Sequence, residues 1–159
     1  MTRANIDFLI ADDCESTREI HGAYLSAKGR TCDFASDGRE AIEKALTRRY
    51  SCLVTDNQMP GRTGVEVAEM TRHLFKPGEL PLFLVTSDPI ATIEARTAGL
   101  HDVVVMQKPL GAIQIARILA RTDSLKSAAT QEAVQAASVA QIRGFVPSGV
   151  LVRGGRLSD

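Results

Sequence analysis

The chain has 159 residues with 19 basic and 19 acidic side chains, so its formal net charge is zero. This length, with 44% hydrophobic residues, suits one ordinary soluble domain, and the neutral charge excludes the basic field that nucleic acid or anionic lipid binding requires. No apolar run approaches the roughly 18 residues of a membrane span or forms the core of a signal peptide. We therefore expect a cytoplasmic protein that contacts neither membranes nor nucleic acid.

The three cysteines lie about twenty positions apart along the chain, at Cys14, Cys32 and Cys52. They contain no Cys-x-x-Cys pair and have no histidine at zinc-binding spacing. Because a free cysteine commonly packs as a small hydrophobic residue, we predict that all three are reduced and mostly buried.

The first half of the chain predicts three strands, over residues 6–11, 31–35 and 52–55. A helix over 15–28 follows the first strand and ends before Gly29; its apolar spacing predicts a buried face of Ile20, Ala23, Tyr24 and Ala27. The next helix begins at Asp37, which forms a capping-box pattern with Glu40, and is predicted to bury Ala41, Ile42, Ala45 and Leu46.

The second half predicts two more strands, over residues 82–85 and 103–106. The helix before them starts with a Thr63 and Glu66 capping box and is predicted to bury Val67, Met70, Thr71 and Leu74. Asp88 and Pro89 predict the N-cap and first residue of a helix that ends at Gly99. The last helix of the series is predicted to bury Ile113, Ala116, Leu119 and Ala120.

Five strand and helix units therefore alternate over about the first 120 residues. The strands are continuously apolar, which is typical of strands covered by helices on both faces. Right-handed crossovers then predict an α/β fold with a doubly wound, five-stranded parallel sheet. In such sheets functional groups gather outside the carboxyl ends of the strands.

Polar side chains stand at four of these strand ends: Asp12 and Asp13 after the first, Asp56 after the third, Thr86 after the fourth and Lys108 after the fifth. Each alone has an ordinary explanation as a helix cap, a turn residue or a strand end. Together they bring three carboxylates to one edge, where mutual repulsion raises their pKa values unless a cation lies among them. Mg²⁺ suits such a set because it takes a few carboxylate oxygens and keeps waters.

These residues carry a resemblance to the receiver domain of two-component response regulators, including the stand-alone chemotaxis type. It covers residues 6–120 and rests on Asp12-Asp13, on Asp56 followed by Gln58-Met59-Pro60-Gly61 and Gly64, on Thr86, and on Lys108-Pro109. The resemblance implies a flavodoxin-like strand order of 2-1-3-4-5. It also implies that Asp56 accepts a phosphoryl group from a sensor histidine kinase or phosphotransfer protein, as a switch that assists its own phosphorylation and dephosphorylation rather than as an enzyme.

The resemblance also assigns roles to the other residues of this edge. Asp13 and Asp56 are expected to ligate Mg²⁺ directly, together with the backbone carbonyl of Gln58, while Asp12 acts through bound water. Lys108 is expected to contact a phosphoryl oxygen after a cis peptide bond to Pro109, and the Thr86 hydroxyl to report phosphorylation.

Two positions of the pattern leave questions about signalling. Val105 stands where family members usually carry an aromatic residue, so we expect the signal to travel by loop rearrangement or by repacking of the helix over 90–99. Gln58 and Asp88 lie where the family controls access to the acyl phosphate, although the N-cap role is favoured for Asp88.

Residues 5–121 are thus predicted to form the receiver domain, and residues 122–159 an Ala-rich C-terminal extension that is partly helical or disordered. The extension keeps two apolar stretches, Phe145-Val146 and Val150-Leu151-Val152. It is either a frayed appendage or a segment that docks on its own domain, on a second copy in a homodimer, or on a partner. It is too short for a helix-turn-helix module.

The favoured interpretation is a stand-alone receiver whose phosphorylated face binds an unidentified target protein. A degenerate receiver that binds proteins independently of phosphorylation is the alternative, and Val105 keeps it open. A flavodoxin-like nucleotide binder or a phosphatase on a similar sheet is less favoured. The first strand is followed by acidic residues rather than a glycine-rich phosphate loop, and Asp56-Asn57-Gln58 is not an Asp-x-Asp loop.

Overall fold

The computed structural model describes residues 5–144, in which five strands alternate with five helices. In chain order they are β1 (Ile6–Ala11), α1 (Glu15–Ala27), β2 (Cys32–Ala35), α2 (Gly38–Thr47), β3 (Tyr50–Asp56), α3 (Gly64–Leu74), β4 (Leu82–Thr86), α4 (Ile90–Thr97), β5 (Val103–Gln107) and α5 (Ala112–Gly144). The predicted alternation is confirmed. The apolar stretches expected from Phe145 onward lie outside the described residues.

All five strands are parallel and lie in the order β2-β1-β3-β4-β5, as predicted. The register aligns the carboxyl ends: Ala11 pairs with Thr55, Asp56 with Val85, and Thr86 with Gln107. Because β3 lies between β1 and β4, the residues that follow these three strands meet at one edge of the sheet.

Two separate cores cover the two faces of the sheet, because alternate strand residues point to opposite sides. One core contains Leu9, Leu53 and Leu84 with side chains from α2, α3 and α4. The other contains strand residues such as Phe8 and Val54 with side chains from α1 and α5. This double burial explains why the strands are continuously apolar.

The predicted buried face of α1 is wrong. Ile20 is 55% exposed and Tyr24 44% exposed, and Ala23 and Ala27 are also exposed, whereas Gly22 and Leu25 are buried. Relative to the prediction, the helix is rotated about its axis because it packs on the sheet through Gly22, where a Cβ atom would lie 2.6 Å from Cζ of Phe34. A glycine carries no hydrophobic signal, so the apolar spacing indicated the wrong side.

The predicted face of α5 is wrong for a similar reason. Ile113 is 69% exposed and Ala116 and Ala120 are exposed, whereas Leu119 is partly buried. The buried side chains are Ile115, Ile118 and Thr122. Thr122 packs inward because its hydroxyl donates a hydrogen bond to the Ile118 carbonyl at 2.8 Å, so this polar residue fits an apolar face.

The buried faces of α2 and α3 agree with the predictions except at one residue each. Leu46 is 57% exposed and Leu74 is 49% exposed. Both lie in the last turn of their helices, beyond the residues that pack on the sheet. The other predicted core positions are buried or, for Met70, half-buried: Ala41, Ile42, Ala45, Val67 and Thr71.

The helix N-termini differ from one another in their capping. Thr63 and Glu66 form the predicted reciprocal capping box on α3. The Asp37 side chain accepts the N–H of Glu40 at 2.8 Å. The Glu40 carboxylate accepts the N–H and hydroxyl of Ser36 instead of the Asp37 N–H, so the reciprocal half of the predicted capping box does not form. The N-cap prediction for Asp88 is wrong: Pro89 is the N-cap of α4, which has no side-chain cap.

α5 is a single helix of 33 residues, so it continues into the Ala-rich extension. The chain nevertheless divides into two compact units after Lys126. The first unit includes Thr122, which is buried, and also Asp123 and Lys126, which form ion pairs with Arg30 and Asp7 at 2.7 and 2.8 Å. Among residues 5–144, no helix is both long and apolar enough to cross a membrane.

Candidate functional site

Three carboxylates form a cluster at the carboxyl edge of the sheet. Asp12, Asp13 and Asp56 each place one carboxylate oxygen so that these atoms lie within 4.8 Å of one another. Asp12 and Asp56 are buried, whereas Asp13 is exposed. Burial raises the pKa of Asp12, and the neighbouring charges of Asp56 and Asp13 raise it further, against a hydrogen bond from the Cys14 N–H and the charge of Lys108.

A hard divalent cation fits this cluster, because such ions bind groups of carboxylate oxygens. Burial is the main cause of the raised pKa of Asp12, and an ion would offset the repulsion from Asp56 and Asp13 that adds to it. That the Gln58 backbone carbonyl is a further ligand stays a prediction. The backbone N–H of Gln58 donates to Oδ1 of Asp56 at 3.3 Å, which places this residue beside the cluster.

Lys108 faces the carboxylates from the end of β5. Its Nζ lies 3.0 Å from Oδ2 of Asp56 and 3.9 Å from Oδ2 of Asp12. The Lys108 N–H donates to the Thr86 carbonyl at 2.8 Å, and the Gln107 side chain donates to the same carbonyl at 3.0 Å. The peptide bond from Lys108 to Pro109 is cis, as expected. The end of β5 is therefore fixed to the end of β4.

The loop after Asp56 folds back tightly onto the strand that carries this carboxylate. The Gly64 N–H donates to the Asn57 carbonyl at 2.9 Å. A Cβ atom on Gly64 would lie 2.4 Å from the Asp56 carbonyl oxygen, so only glycine allows this approach. Gly61 has a φ of 79° in the intervening turn, which also favours glycine.

Thr86 and Asp88 are joined by two hydrogen bonds. The Thr86 hydroxyl donates to Oδ2 of Asp88 at 3.2 Å and accepts the Asp88 N–H at 2.9 Å. The Asp88 carboxylate also accepts the side-chain amides of Asn57, at 3.0 Å, and Gln58, at 3.3 Å. Asp88 therefore joins the loops after β3 and β4, which is the physical reason that it does not cap α4.

The sequence interpretation missed two residues of this edge. Asn57 is buried and bridges three segments, because its side chain bonds to Asp88 and accepts the Val65 N–H at 3.3 Å while its own N–H donates to the Val85 carbonyl. An amide directly after a buried strand was the available signal. Arg18 of α1 donates to the Asp12 carbonyl at 2.7 Å, and nothing in its spacing indicated this contact.

The cysteines are free, but their burial differs from the prediction. Cys52 is buried and Cys32 is intermediate, whereas Cys14 is exposed. Hydrogen bonds from Ser16 and Thr17 lower the pKa of the Cys14 thiol to about 7. Cys14 is the N-cap residue of α1, and a residue in that position has no core to pack against.

Val105 lies half-buried on β5 and packs against the core that faces α2, α3 and α4. The aromatic side chain usual at this position is replaced by a small β-branched one, which has a narrow choice of rotamers. A large side-chain rotation is therefore not available at this position.

Comparisons with known proteins agree with this geometry. The model of the response regulator receiver domain family matches residues 8–120. The transcriptional regulatory protein SrrA of Staphylococcus aureus is 28% identical over 124 residues, which cover 74% of this chain and 49% of SrrA. The chain thus spans about half the length of that curated relative.

Solved structures share the fold. The chemotaxis protein CheY4 of Vibrio cholerae has a TM-score of 0.65 at 25% identity, over 75% of this chain and 99% of that one. The response regulator TrrA of Thermotoga maritima, solved in complex with Mg²⁺-BeF, has a TM-score of 0.65 at 24% identity, over 74% of this chain and 98% of that one. From the family match, the 2-1-3-4-5 sheet and the acidic cluster at its carboxyl edge, we conclude that the chain belongs to the response regulator receiver domain family of two-component signalling.

Proposed function

We propose that this receiver accepts a phosphoryl group on Asp56 from a phosphohistidine of a histidine kinase or phosphotransfer protein, in a reaction that depends on Mg²⁺, and that it signals through a protein partner. The observation that carries the proposal is the placement of a buried carboxylate, Asp56, beside Asp12 and Asp13 and 3.0 Å from the Lys108 ammonium. A carboxylate that lies beside other carboxylates, which can bind a cation, and beside an ammonium group is suited to phosphoryl transfer, because this reaction depends on positioning and charge neutralisation.

In the proposed reaction a carboxylate oxygen of Asp56 attacks the phosphorus of the phosphohistidine. A phosphorus–oxygen bond forms, the phosphorus–nitrogen bond breaks, and the imidazole nitrogen leaves with the electron pair and is protonated. Little covalent chemistry is left to other side chains, so positioning and charge neutralisation dominate. Lys108 holds a positive charge where the phosphoryl oxygens arrive, which offsets their repulsion from the neighbouring carboxylates.

Mg²⁺ would be held by Asp13 and Asp56, by Asp12 through water and by the Gln58 carbonyl, and it supplies neutralisation of the phosphoryl charge. The carboxylate cluster supports this assignment. So does the Mg²⁺-BeF complex of TrrA, which shares the fold.

Thr86 is proposed to report the phosphoryl group because its buried hydroxyl ends the strand next to the one that carries Asp56. With Val105 in the usual aromatic position, we propose that the signal travels through the loop between Thr86 and α4. A phosphoryl group adds negative charge and acceptor oxygens that attract this hydroxyl.

The alternative is a degenerate receiver that binds its partner independently of phosphorylation, and Val105 is the observation that favours it. The test is an intact-mass measurement after incubation with a small phosphodonor and Mg²⁺. We expect a mass increase of one phosphoryl group in the wild type, its loss in Asp56→Asn and in EDTA, and its retention in the control Asp123→Asn, whose carboxylate pairs with Arg30. Absence of the adduct on the wild type would support the alternative.

A further inference from the structure

We propose that Asp88 is a positioning residue whose carboxylate holds the Thr86 hydroxyl in the unphosphorylated receiver. This contact between Asp88 and Thr86, called the latch below, sets how strongly an anion at Asp56 must attract the hydroxyl before the receiver is activated. The inference rests on the proposed function, because it concerns the same hydroxyl and the same phosphorylation site. It goes further in naming the group that opposes activation.

The Thr86 hydroxyl can donate only one hydrogen bond. A threonine hydroxyl carries a single proton, and here that proton is donated to Oδ2 of Asp88 at 3.2 Å. The hydroxyl oxygen accepts the Asp88 N–H at 2.9 Å, which fixes its orientation. The hydroxyl therefore cannot donate to an oxygen at Asp56 without first leaving Asp88.

The acceptor of this bond, the Asp88 carboxylate, is itself held in place. Oδ2 of Asp88 also accepts the Asn57 amide at 3.0 Å, and Oδ1 accepts the Gln58 amide at 3.3 Å. Asn57 is buried and is fixed by the Val65 N–H and the Val85 carbonyl. The half-buried carboxylate is thus anchored to the loop that directly follows Asp56.

In the phosphorylated receiver two anions compete for the one proton of the Thr86 hydroxyl. Hydrogen bonds to ionised acceptors are stronger than those to neutral ones, so the Asp88 carboxylate stabilises the state in which Thr86 is latched. A phosphoryl group on Asp56 offers a second anionic acceptor. The population of the released state depends on the difference between the two, and Asp88 lowers the apparent affinity for any activating anion.

A simpler explanation must be separated from the latch. The negative charge of Asp88 would repel an anion at Asp56 even if Thr86 played no part. The two explanations differ in one respect: an effect through the latch requires the Thr86 hydroxyl, whereas a charge effect does not. A double-mutant cycle between the two residues distinguishes them.

The experiment is a titration with Mg²⁺ and beryllofluoride, an anionic analogue of the phosphoryl group, followed by calorimetry. We expect Asp88→Ala to bind beryllofluoride roughly five- to tenfold more tightly than the wild type, as is typical for loss of one hydrogen bond of ordinary net strength. In a Thr86→Ala background the same substitution should change the affinity by less than about twofold. A Thr86→Ser background, which retains the hydroxyl, should restore the larger effect.

Three further comparisons test the role of Asp88. Ser87→Ala, in the exposed residue between the two partners, should leave the affinity near that of the wild type. In the unliganded protein, the NMR methyl resonance of Thr86 should move in Asp88→Ala toward its position in the beryllofluoride complex of the wild type. Asp88→Asn keeps the shape of the side chain and loses its charge, so its beryllofluoride affinity should lie between those of the wild type and Asp88→Ala.

The outcomes separate the two proposals. If the wild type binds beryllofluoride but Asp88→Ala does not change the affinity, or changes it equally in the Thr86→Ala background, the latch is overturned and the phosphoacceptor proposal stands. If the wild type binds no beryllofluoride with Mg²⁺, the proposed function fails, and the latch fails with it.

Discussion

The Lys108 ammonium lies 3.0 Å from the Asp56 carboxylate, although the two residues end different strands that are not adjacent in the sheet. β4 lies between them and contributes Thr86, whose carbonyl accepts the Lys108 N–H. One ammonium group thus stands against three carboxylates. The local excess of negative charge has consequences for stability as well as for metal binding.

Replacing Asp12 with asparagine should stabilise the metal-free protein. Burial and the two neighbouring carboxylates disfavour the ionised form of Asp12 and raise its pKa. We expect Asp12→Asn to increase the free energy of unfolding by about 1 kcal/mol at pH 7 in EDTA. Urea denaturation with and without Mg²⁺ checks this. Stabilisation by Mg²⁺ should shrink in the variant, and equal stabilisation would argue against the metal site.

Gly64→Ala should be strongly destabilising because the added Cβ would lie 2.4 Å from the Asp56 carbonyl oxygen and 2.9 Å from Cα of Asn57. Backbone atoms cannot move aside cheaply, so we expect a loss of about 2–4 kcal/mol in the free energy of unfolding. The matched control is Gly99→Ala, where no atom lies within 4 Å of the added Cβ. Thermal denaturation of both variants checks the contrast, and similar melting temperatures would contradict it.

The corrected face of α1 also gives a direct comparison of two substitutions. Leu25 is 3% exposed, and Ile20, five residues earlier on the same helix, is 55% exposed. We expect Leu25→Ala to lower the free energy of unfolding by about 2–4 kcal/mol and Ile20→Ala by less than about 1 kcal/mol. Guanidinium denaturation measures both. A reversed order would restore the face predicted from apolar spacing.

The Asp7 carboxylate should make stability depend on pH in the acid range. Burial would raise its pKa, but hydrogen bonds from Lys126 and Thr31 outweigh burial and hold the pKa below its ordinary value. A carboxylate whose pKa is lower in the folded than in the unfolded state contributes stability at pH values above its unfolded pKa, which is about 4. This stability is lost as the pH falls through the folded-state pKa.

We therefore expect Asp7→Asn to lower the free energy of unfolding by about 1 kcal/mol at pH 7, a figure already reduced for the solvent exposure of Lys126. The difference from the wild type should shrink as the pH falls below the unfolded pKa, which is about 4. Urea denaturation across this range checks it. Glu43→Gln, which removes a pair between two exposed side chains, should cost less than about 0.5 kcal/mol. A difference for Asp7→Asn that does not change with pH would contradict the assignment.

The parallel sheet and the convergence of Asp12, Asp56 and Lys108 could be predicted because both follow from local patterns, whereas the strand order was implied by the family resemblance. Continuously apolar runs mark buried parallel strands, and parallel strands bring their carboxyl ends to one edge. The chain positions of these side chains were enough to place them together, without knowledge of any contact.

The role of Asp88 and the face of α1 depended on contacts that no local pattern carries. Asp88 precedes a helix, which favours an N-cap, but the amides of Asn57 and Gln58 arrive from a different loop and compete for its carboxylate. Gly22 packs inward because Phe34 of β2 occupies the space above it. In both cases tertiary partners overrode a local preference, and a sequence pattern does not specify such partners.

The separation of the two cores by the sheet has a further consequence for how this protein can vary. Leu53 and Val54 are adjacent in β3, yet they belong to different core clusters on opposite faces of the sheet. A change of volume at one of them must be compensated within its own layer. Compensating substitutions in relatives should therefore pair Leu53 with residues of α2, α3 or α4, and Val54 with residues of α1 or α5, so that the two layers diverge independently.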